Sequence, residues 1–173
     1  MRAGAEFDSA PAALVRFLIV AVGHRQPVWV DTAFGEYAKR MPREARVELI
    51  EIRPEPRAEA GTESAVAKLL QREAGRIAAA VPPGTSMVAM DETGESLTTR
   101  ALAARMEQWF SGGRDVAFLI GSADGLDAKL KASAERRLSL SPLTLPHGLA
   151  RVLLAEQLYR AHSLLRGHPY HRD

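Results

Sequence analysis

The chain has 173 residues, 46% of them hydrophobic and 6% aromatic, with 23 Lys and Arg against 21 Asp and Glu. That length can bury one substantial core. The absence of cysteine excludes disulfides, thiolate catalysis and Cys-ligated zinc, and fits a reducing, cytoplasmic setting. No apolar run reaches the ~20 residues that span a bilayer, so no membrane partner is expected. Charge is unevenly spread: from Lys129 onward 8 Lys and Arg face 3 acids, whereas residues 1–128 hold 15 against 18. Four of the five histidines lie at His147 or beyond. A basic, His-rich end points to an anionic partner. A solvated helix followed by a frayed terminus is the plainer alternative.

Met1 to Ala13 lacks the apolar segment of a signal peptide and reads as a flexible extension, with residues 14–173 as one domain. Phe17-Leu-Ile-Val-Ala-Val22 is a continuous apolar run ended by Gly23, as in a strand buried on both faces. Pro27 opens a helix through Arg40. Val47 to Ile52 is a second strand, and the charged, proline-containing stretch from Arg53 to Gly61 reads as a mobile loop. Thr62 caps a helix to about Ala80, stopped by Pro82-Pro-Gly.

The alternation then repeats. Ser86 to Met90 is a strand, Asp91 to Ser96 a loop, and Thr98 to Phe110 a helix ended by Gly112-Gly113. Val116 to Ile120 is a strand and Gly121 to Gly125 a loop. A helix follows from about Asp127 to Arg137, then a short strand from Leu138 to Leu140. The Ser141 to Pro146 loop leads into a last helix, about His147 to Leu165. This order predicts an α/β fold with a mainly parallel sheet flanked by helices. Ligands of such sheets gather beyond the carboxyl ends of the strands. Three loops qualify: Asp91–Gly94, Gly121–Gly125 and Ser141–Pro146.

Gly121 and Gly125 allow a tight turn and close backbone approach, but their spacing is neither G-x-G-x-x-G nor a Walker A loop. Ser141 to Pro146 carries two prolines and two leucines, so Leu143 and Leu145 suit an apolar wall for a flat ring. A proline-ended strand plugged into the core is the competing account. The His168-x-x-His171 pair lacks a third ligand other than Asp173, and no metal site is expected. No Gly-x-Ser-x-Gly elbow is present. His162 reads as a packed residue, and Arg151 and Arg160 as solvated or ion-paired unless their helix borders a site. Leu149, Val152, Leu153, Glu156 and Tyr159 form a helical stripe read first as core and second as a subunit interface.

Several segments taken together carry a resemblance. Val20-Ala-Val-Gly23, Phe118-Leu-Ile-Gly121, Gly125-Leu126, Leu138-Ser-Leu-Ser141, Leu143-Thr-Leu-Pro-His147, the run from Arg151 to Ala161, and Pro169-Tyr-His-Arg172 occur in order. Together they resemble the bacterial large-subunit ribosomal RNA pseudouridine N3-methyltransferases of the SPOUT superfamily, over about Val15 to Asp173. The resemblance implies a C-terminal trefoil knot, a homodimer, and S-adenosyl-L-methionine bound bent among the three loops. Met90, Gly121, Leu140, Ser141, Pro142, Leu143, Thr144 and Leu145 would then contact the cofactor. The implied substrate is a pseudouridine, number 1915, in helix 69 of 23S rRNA within the assembled 70S ribosome.

Two positions depart from the family pattern. Ser122 stands where a second glycine is usual, and is strained only if its φ is positive. The loop after Met90 lacks the lysine and aromatic often found there. For chemistry at the base, the tail is the expected source: Tyr170 to stack or hydrogen-bond, His171 to accept a proton, and Arg172 to hold a phosphate or a developing anion. His147 and Arg160 support them. Two other readings are a SPOUT methyltransferase acting on tRNA and a non-enzymatic ribosome-binding protein that keeps the fold.

Overall fold

The computed structural model describes residues 14–57 and 61–170. The expected N-terminal extension, His171, Arg172 and Asp173 lie outside the described residues. Strand β1 (Phe17–Val22) is buried along its whole length. So apolar a strand belongs in the middle of a sheet covered on both faces. It pairs in parallel with β2 (Val47–Ile52) on one side and β4 (Val116–Ile120) on the other. Strand β3 (Ser86–Ser96) pairs with β4 and with β5 (Arg136–Ser139) at the sheet edge. The order β2-β1-β4-β3-β5 gives the expected α/β fold, with all five strands parallel.

Side chains alternate across β1 and divide the core into two layers. Phe17 and Ile19 meet α1 (Val28–Ala38), α3 (Thr99–Gly112) and α5 (His147–Leu165) through Phe34, Met106, Leu154 and Leu158. Leu18 and Val20 face α2 (Glu63–Ala80) and α4 (Ala128–Ser133) through Ile77 and Leu130. Each fully buried side chain of this size stabilises by about 1.5–3 kcal/mol. An exposed ion pair such as Lys39–Glu36 is screened by solvent and adds little beside this, so the two apolar layers dominate. Thr62, Thr98 and Asp127 cap α2, α3 and α4 by accepting first-turn N–H groups. Among the described residues, no helix is long and apolar enough to cross a membrane.

Three stretches differ from the sequence expectation. Residues 91–96, expected as a loop, extend β3, with a register shift between Met90 and Glu95 where the edge meets β5. Helix α4 ends at Ser133 rather than near Arg137, and β5 starts at Arg136. There the Glu135 N–H donates to the Met87 carbonyl at 2.9 Å, so sheet pairing outcompetes helix-forming side chains. Of the stretch expected to be a mobile loop, residues 58–60 lie outside the described residues and residues 53–55 are pinned: Glu55 is buried and ion-paired with Arg72 and Arg76, and Arg76 Nη1 donates to the Arg53 carbonyl at 2.7 Å.

The core face of α5 also differs. Ala150, Leu154, Ala155, Leu158 and Ala161 are its buried apolar positions, whereas Leu149, Val152, Leu153 and Tyr159 are half-exposed. Of the expected stripe only Glu156 is buried. Val152 and Tyr159 still pack against the core, so the stripe is its margin, and Leu149 and Leu153 are left incompletely covered.

His162 is packed, as expected, against Phe110, with no hydrogen-bond partner for its Nε2. Burial, reinforced by Arg166, pushes its pKa below the ordinary 6.5. The unfolded chain then binds the proton first, so the stability associated with neutral His162 is lost as pH falls below about 6.5. Thermal unfolding from pH 7.5 to pH 5 is expected to show a falling midpoint that flattens in His162→Phe. Parallel curves for the two proteins would remove His162 from the pH response.

Candidate cofactor pocket and active site

Because all five strands run the same way, their carboxyl ends share one edge of the sheet. A cavity of about 660 Å³ opens there, beyond β3, β4 and β5. The three loops singled out from sequence all contribute to its wall. Met90, Gly121, Leu140, Ser141, Leu143, Thr144, Leu145 and His147 line it, together with Asp91, Glu92 and Lys131. Pro142 is exposed in the same loop but does not line the cavity.

The 121–125 wall depends on missing side chains. A Cβ on Gly121 would lie 2.3 Å from the carbonyl carbon and oxygen of Gly125. The turn closes through the Gly125 N–H, which donates to the Ser122 carbonyl at 2.9 Å, and Gly125 has φ of 84°. Ser122 is not among the residues with positive φ, so the serine is unstrained. Gly94 plays a similar part in the neighbouring wall: its Cβ would sit 2.6 Å from the Leu138 carbonyl carbon.

The 141–146 loop packs against the core through Leu145 but is otherwise largely turned outward. Leu143 is 74% exposed, and Pro142 and Thr144 are exposed beside it. Local bonds hold its shape: Ser139 Oγ donates to the Ser141 carbonyl, and Ser141 Oγ accepts from the Leu143 N–H, both at 2.9 Å. Thr144 Oγ1 donates to Glu92 Oε2 at 3.4 Å, joining this loop to the end of β3.

The charged groups of the cavity have defined states. Asp91 Oδ2 lies 2.9 Å from Lys131 Nζ, and Asp91 Oδ1 accepts from the Thr93 N–H and hydroxyl. The bond from Lys131 outweighs burial and holds the Asp91 carboxyl at about 2. His147 is half-buried, and burial together with nearby Arg151 pushes its pKa down. It is therefore neutral at pH 7 and open to a proton. Arg151, expected as solvated or ion-paired unless its helix borders a site, is ion-paired with Glu51 and fully buried beside the cavity-lining start of α5. Its Nη1 donates to Glu51 Oε1 at 2.8 Å and its Nη2 to the Gly23 carbonyl at 2.7 Å. This tie fixes the start of α5, and hence His147, against the ends of β1 and β2.

Arg160 and Tyr170 lie elsewhere. They gather around Glu156: Arg160 Nε donates to its Oε1 at 2.8 Å and the Tyr170 hydroxyl donates to the same atom at 3.2 Å. The Tyr170 ring packs on Tyr159 at 4.6 Å, with the Arg160 guanidinium over it at 5.0 Å. Burial, with bonds to Tyr37 and Glu156, raises the Tyr170 hydroxyl to about 12, so it is a donor and not a base at neutral pH. Arg160 follows His147 along one continuous helix, which puts them roughly 20 Å apart at 1.5 Å per residue. Within one chain the candidate residues thus form two groups. His168 is exposed, with Nδ1 accepting the Tyr170 N–H at 3.3 Å.

Sequence reasoning named the loop that holds Asp91 but missed Lys131 and Glu156, which organise the two groups. Lys131 lies in a short helix with no motif. Glu156 was read as part of an apolar stripe, although an acid four residues before Arg160 was the available signal.

An all-parallel sheet with a loop-lined cavity at its carboxyl edge is the frame of a cofactor-binding α/β protein. Residues 15–171 match the family described as "Predicted SPOUT methyltransferase". Ribosomal RNA large subunit methyltransferase H of Ralstonia pickettii is 56% identical over 158 residues, covering 91% of this chain and 99% of that protein. The protein of the same name from Bordetella pertussis is 54% identical over the same shares. A solved probable methyltransferase from Bordetella pertussis Tohama I superposes with a TM-score of 0.51 at 20% identity, covering 86% of this chain and 96% of that one. This chain belongs to the SPOUT methyltransferase family, among the proteins called ribosomal RNA large subunit methyltransferase H.

Because a Gly121 side chain would strike the Gly125 backbone, a substitution there should rebuild the turn as well as fill the cavity. Gly121→Ala, a single methyl group, is expected to weaken binding of S-adenosylhomocysteine severely in calorimetry. Wild-type affinity in that variant would show that the turn yields freely.

Proposed function

We propose that this protein is a cytoplasmic, homodimeric, S-adenosylmethionine-dependent methyltransferase that modifies N3 of the helix 69 pseudouridine 1915 of 23S rRNA on the assembled 70S ribosome. The observation that carries the reading is the meeting of the β3 end and two strand-end loops around one cavity, in a chain whose relatives are called ribosomal RNA large subunit methyltransferase H. The cavity, about 660 Å³, falls in the size range of small-molecule sites. Its lining also fits an adenosyl group: an apolar wall at Leu140, Leu143 and Leu145, and backbone approach at Gly121.

In this reading Met90, Gly121 and the Leu140–Leu145 segment hold the cofactor. When bound, S-adenosylmethionine supplies an electrophilic methyl group. Ionised Asp91 and Lys131 form a charge-matched pair in the wall, so they add a fixed dipole there and little net charge. Neutral His147 is the titratable group at the cavity able to take up a proton near neutral pH. An unpaired base in an RNA loop presents its N3 edge and ring face to such a site. Alignment of base and cofactor provides much of the rate.

Distance supports the dimer. Tyr170 and Arg160, roughly 20 Å along α5 from His147, meet a base at the same chain's cavity only with difficulty. A second copy can bring its own Arg160, Tyr170, His171 and Arg172 to that cavity. The half-exposed flank of α5 at Leu149 and Leu153, with Val28 (81% exposed) and Trp29 (56% exposed) on α1, offers an apolar surface for an isologous contact.

Mass spectrometry of 23S rRNA from a deletion strain is expected to show loss of one methyl group on the helix 69 pseudouridine, restored by the wild-type gene. Unchanged methylation would remove the proposed substrate. Light scattering is expected to give about twice 18.8 kDa, and a monomer mass at micromolar concentration would remove the dimer. Deleting Tyr170 to Asp173 is expected to change S-adenosylhomocysteine affinity by less than about twofold while lowering ribosome methylation by orders of magnitude. A truncated protein that methylates at the wild-type rate would transfer the chemistry to His147.

A further inference from the structure

We propose that Arg57 is a positioning residue for the pocket: its guanidinium, seated on buried Glu73, clamps the Gly121–Gly125 loop through Ser122 and Asp124. The proposal rests on the reading of the cavity as a cofactor site. It concerns a segment, after β2, whose described residues do not line the cavity.

The clamp starts from a buried charge. Glu73 on α2 is 2% exposed, and a carboxylate at that depth is tolerated only with its oxygens satisfied. Glu73 Oε1 accepts the Glu55 N–H at 2.9 Å and lies 3.0 Å from Arg57 Nη1. Glu73 Oε2 accepts the Ser122 hydroxyl at 2.8 Å and an Arg57 Nη2 donor at 3.3 Å. Arg57 then has donors to spare. Its Nη2 also donates to Ser122 Oγ at 2.5 Å, and its Nε lies 2.8 Å from Asp124 Oδ2. One planar guanidinium therefore holds α2 and two loop residues, a geometry that a lysine cannot reproduce.

The base of the clamp is itself fixed. Glu55, two residues before Arg57, is ion-paired with Arg72 and Arg76 of α2. At the other end, Ser122 and Asp124 are in the turn whose backbone walls the cavity, and the Ser122 carbonyl accepts the Gly125 N–H. Ser122 thus gives the chain a side-chain handle on the loop. A loop already held in place loses less entropy when a ligand binds.

The test uses the full-length protein and S-adenosylhomocysteine as the probe. Arg57→Met keeps the stem and removes the charge; Arg57→Lys returns a charge without the fork. The double variant Ser122→Ala/Asp124→Ala releases the loop and leaves the Arg57–Glu73 pair intact. Calorimetry is expected to show affinity about tenfold or more weaker in Arg57→Met and in the double variant, with Arg57→Lys between them and wild type. Amide hydrogen exchange of the ligand-free proteins is expected to speed up within residues 121–125. Wild-type affinity together with unchanged exchange in a folded Arg57→Met or double variant would overturn the clamp. If Arg57→Met does not fold, the double variant decides alone. If wild type itself fails to bind S-adenosylhomocysteine, the cofactor reading falls, and the exchange rates still decide whether the clamp orders the loop.

Discussion

Two backbone approaches that leave no space for a Cβ set the shape of this protein's pocket. At Gly121 the chain passes so close to Gly125 that a methyl group would lie 2.3 Å from a carbonyl, and at Gly94 the end of β3 presses on Leu138 of β5. The first turns the chain sharply after β4. The second draws the polar end of β3 alongside the edge strand, which carries Asp91 and Glu92 to the cavity. The apolar layers on the two sheet faces hold the strands in parallel, but the cavity's shape depends on these contacts of main chain with main chain.

Charge supports that frame at two depths. Arg151, fully buried, joins the start of α5 to the ends of β1 and β2 through Glu51 and the Gly23 carbonyl. Glu73 and Arg57 do the same for the Gly121–Gly125 loop from the α2 side. Leaving one partner of such a pair unmatched costs about 3–5 kcal/mol, far more than loss of an exposed pair. These buried ions therefore fix geometry even where an apolar replacement would be equally stable.

Much of the fold was legible in the sequence because β1 and β4 are short apolar runs ended by glycine. The Thr62 and Thr98 caps were legible for a similar reason, since each signal lies within one helical turn. The end of β3 was not, because Asp91 to Ser96 has loop composition and its pairing depends on contact with β5, more than forty residues away. Helix α4 was read too long because its Ala, Glu and Arg residues favour a helix, whereas the Glu135 bond to Met87 and the pairing of Arg136 and Arg137 with β3 end it. On α5 the apolar residues occur nearly all round, so periodicity alone did not separate the buried side, at Leu154 and Leu158, from the half-exposed flank at Leu149 and Leu153. The 121–125 and 141–146 pocket loops were legible as strand ends. The ties of Lys131 to Asp91 and of Arg57 to Ser122 were not, since charge pairing across distant elements leaves no local pattern.

The separation between the cavity and the Arg160–Tyr170 group is what makes the proposed site depend on two chains. A mixed-dimer experiment tests that claim most directly. One chain would carry Gly121→Val, which spoils its own pocket, and the other would lack Tyr170 to Asp173; each homodimer should be inactive on ribosomes. After co-expression and separation by two affinity tags, the mixed dimer has one intact pocket opposite one intact tail. The account predicts recovery of about half the wild-type rate in that mixed dimer. A mixed dimer as inactive as its parents would contradict a site shared between subunits.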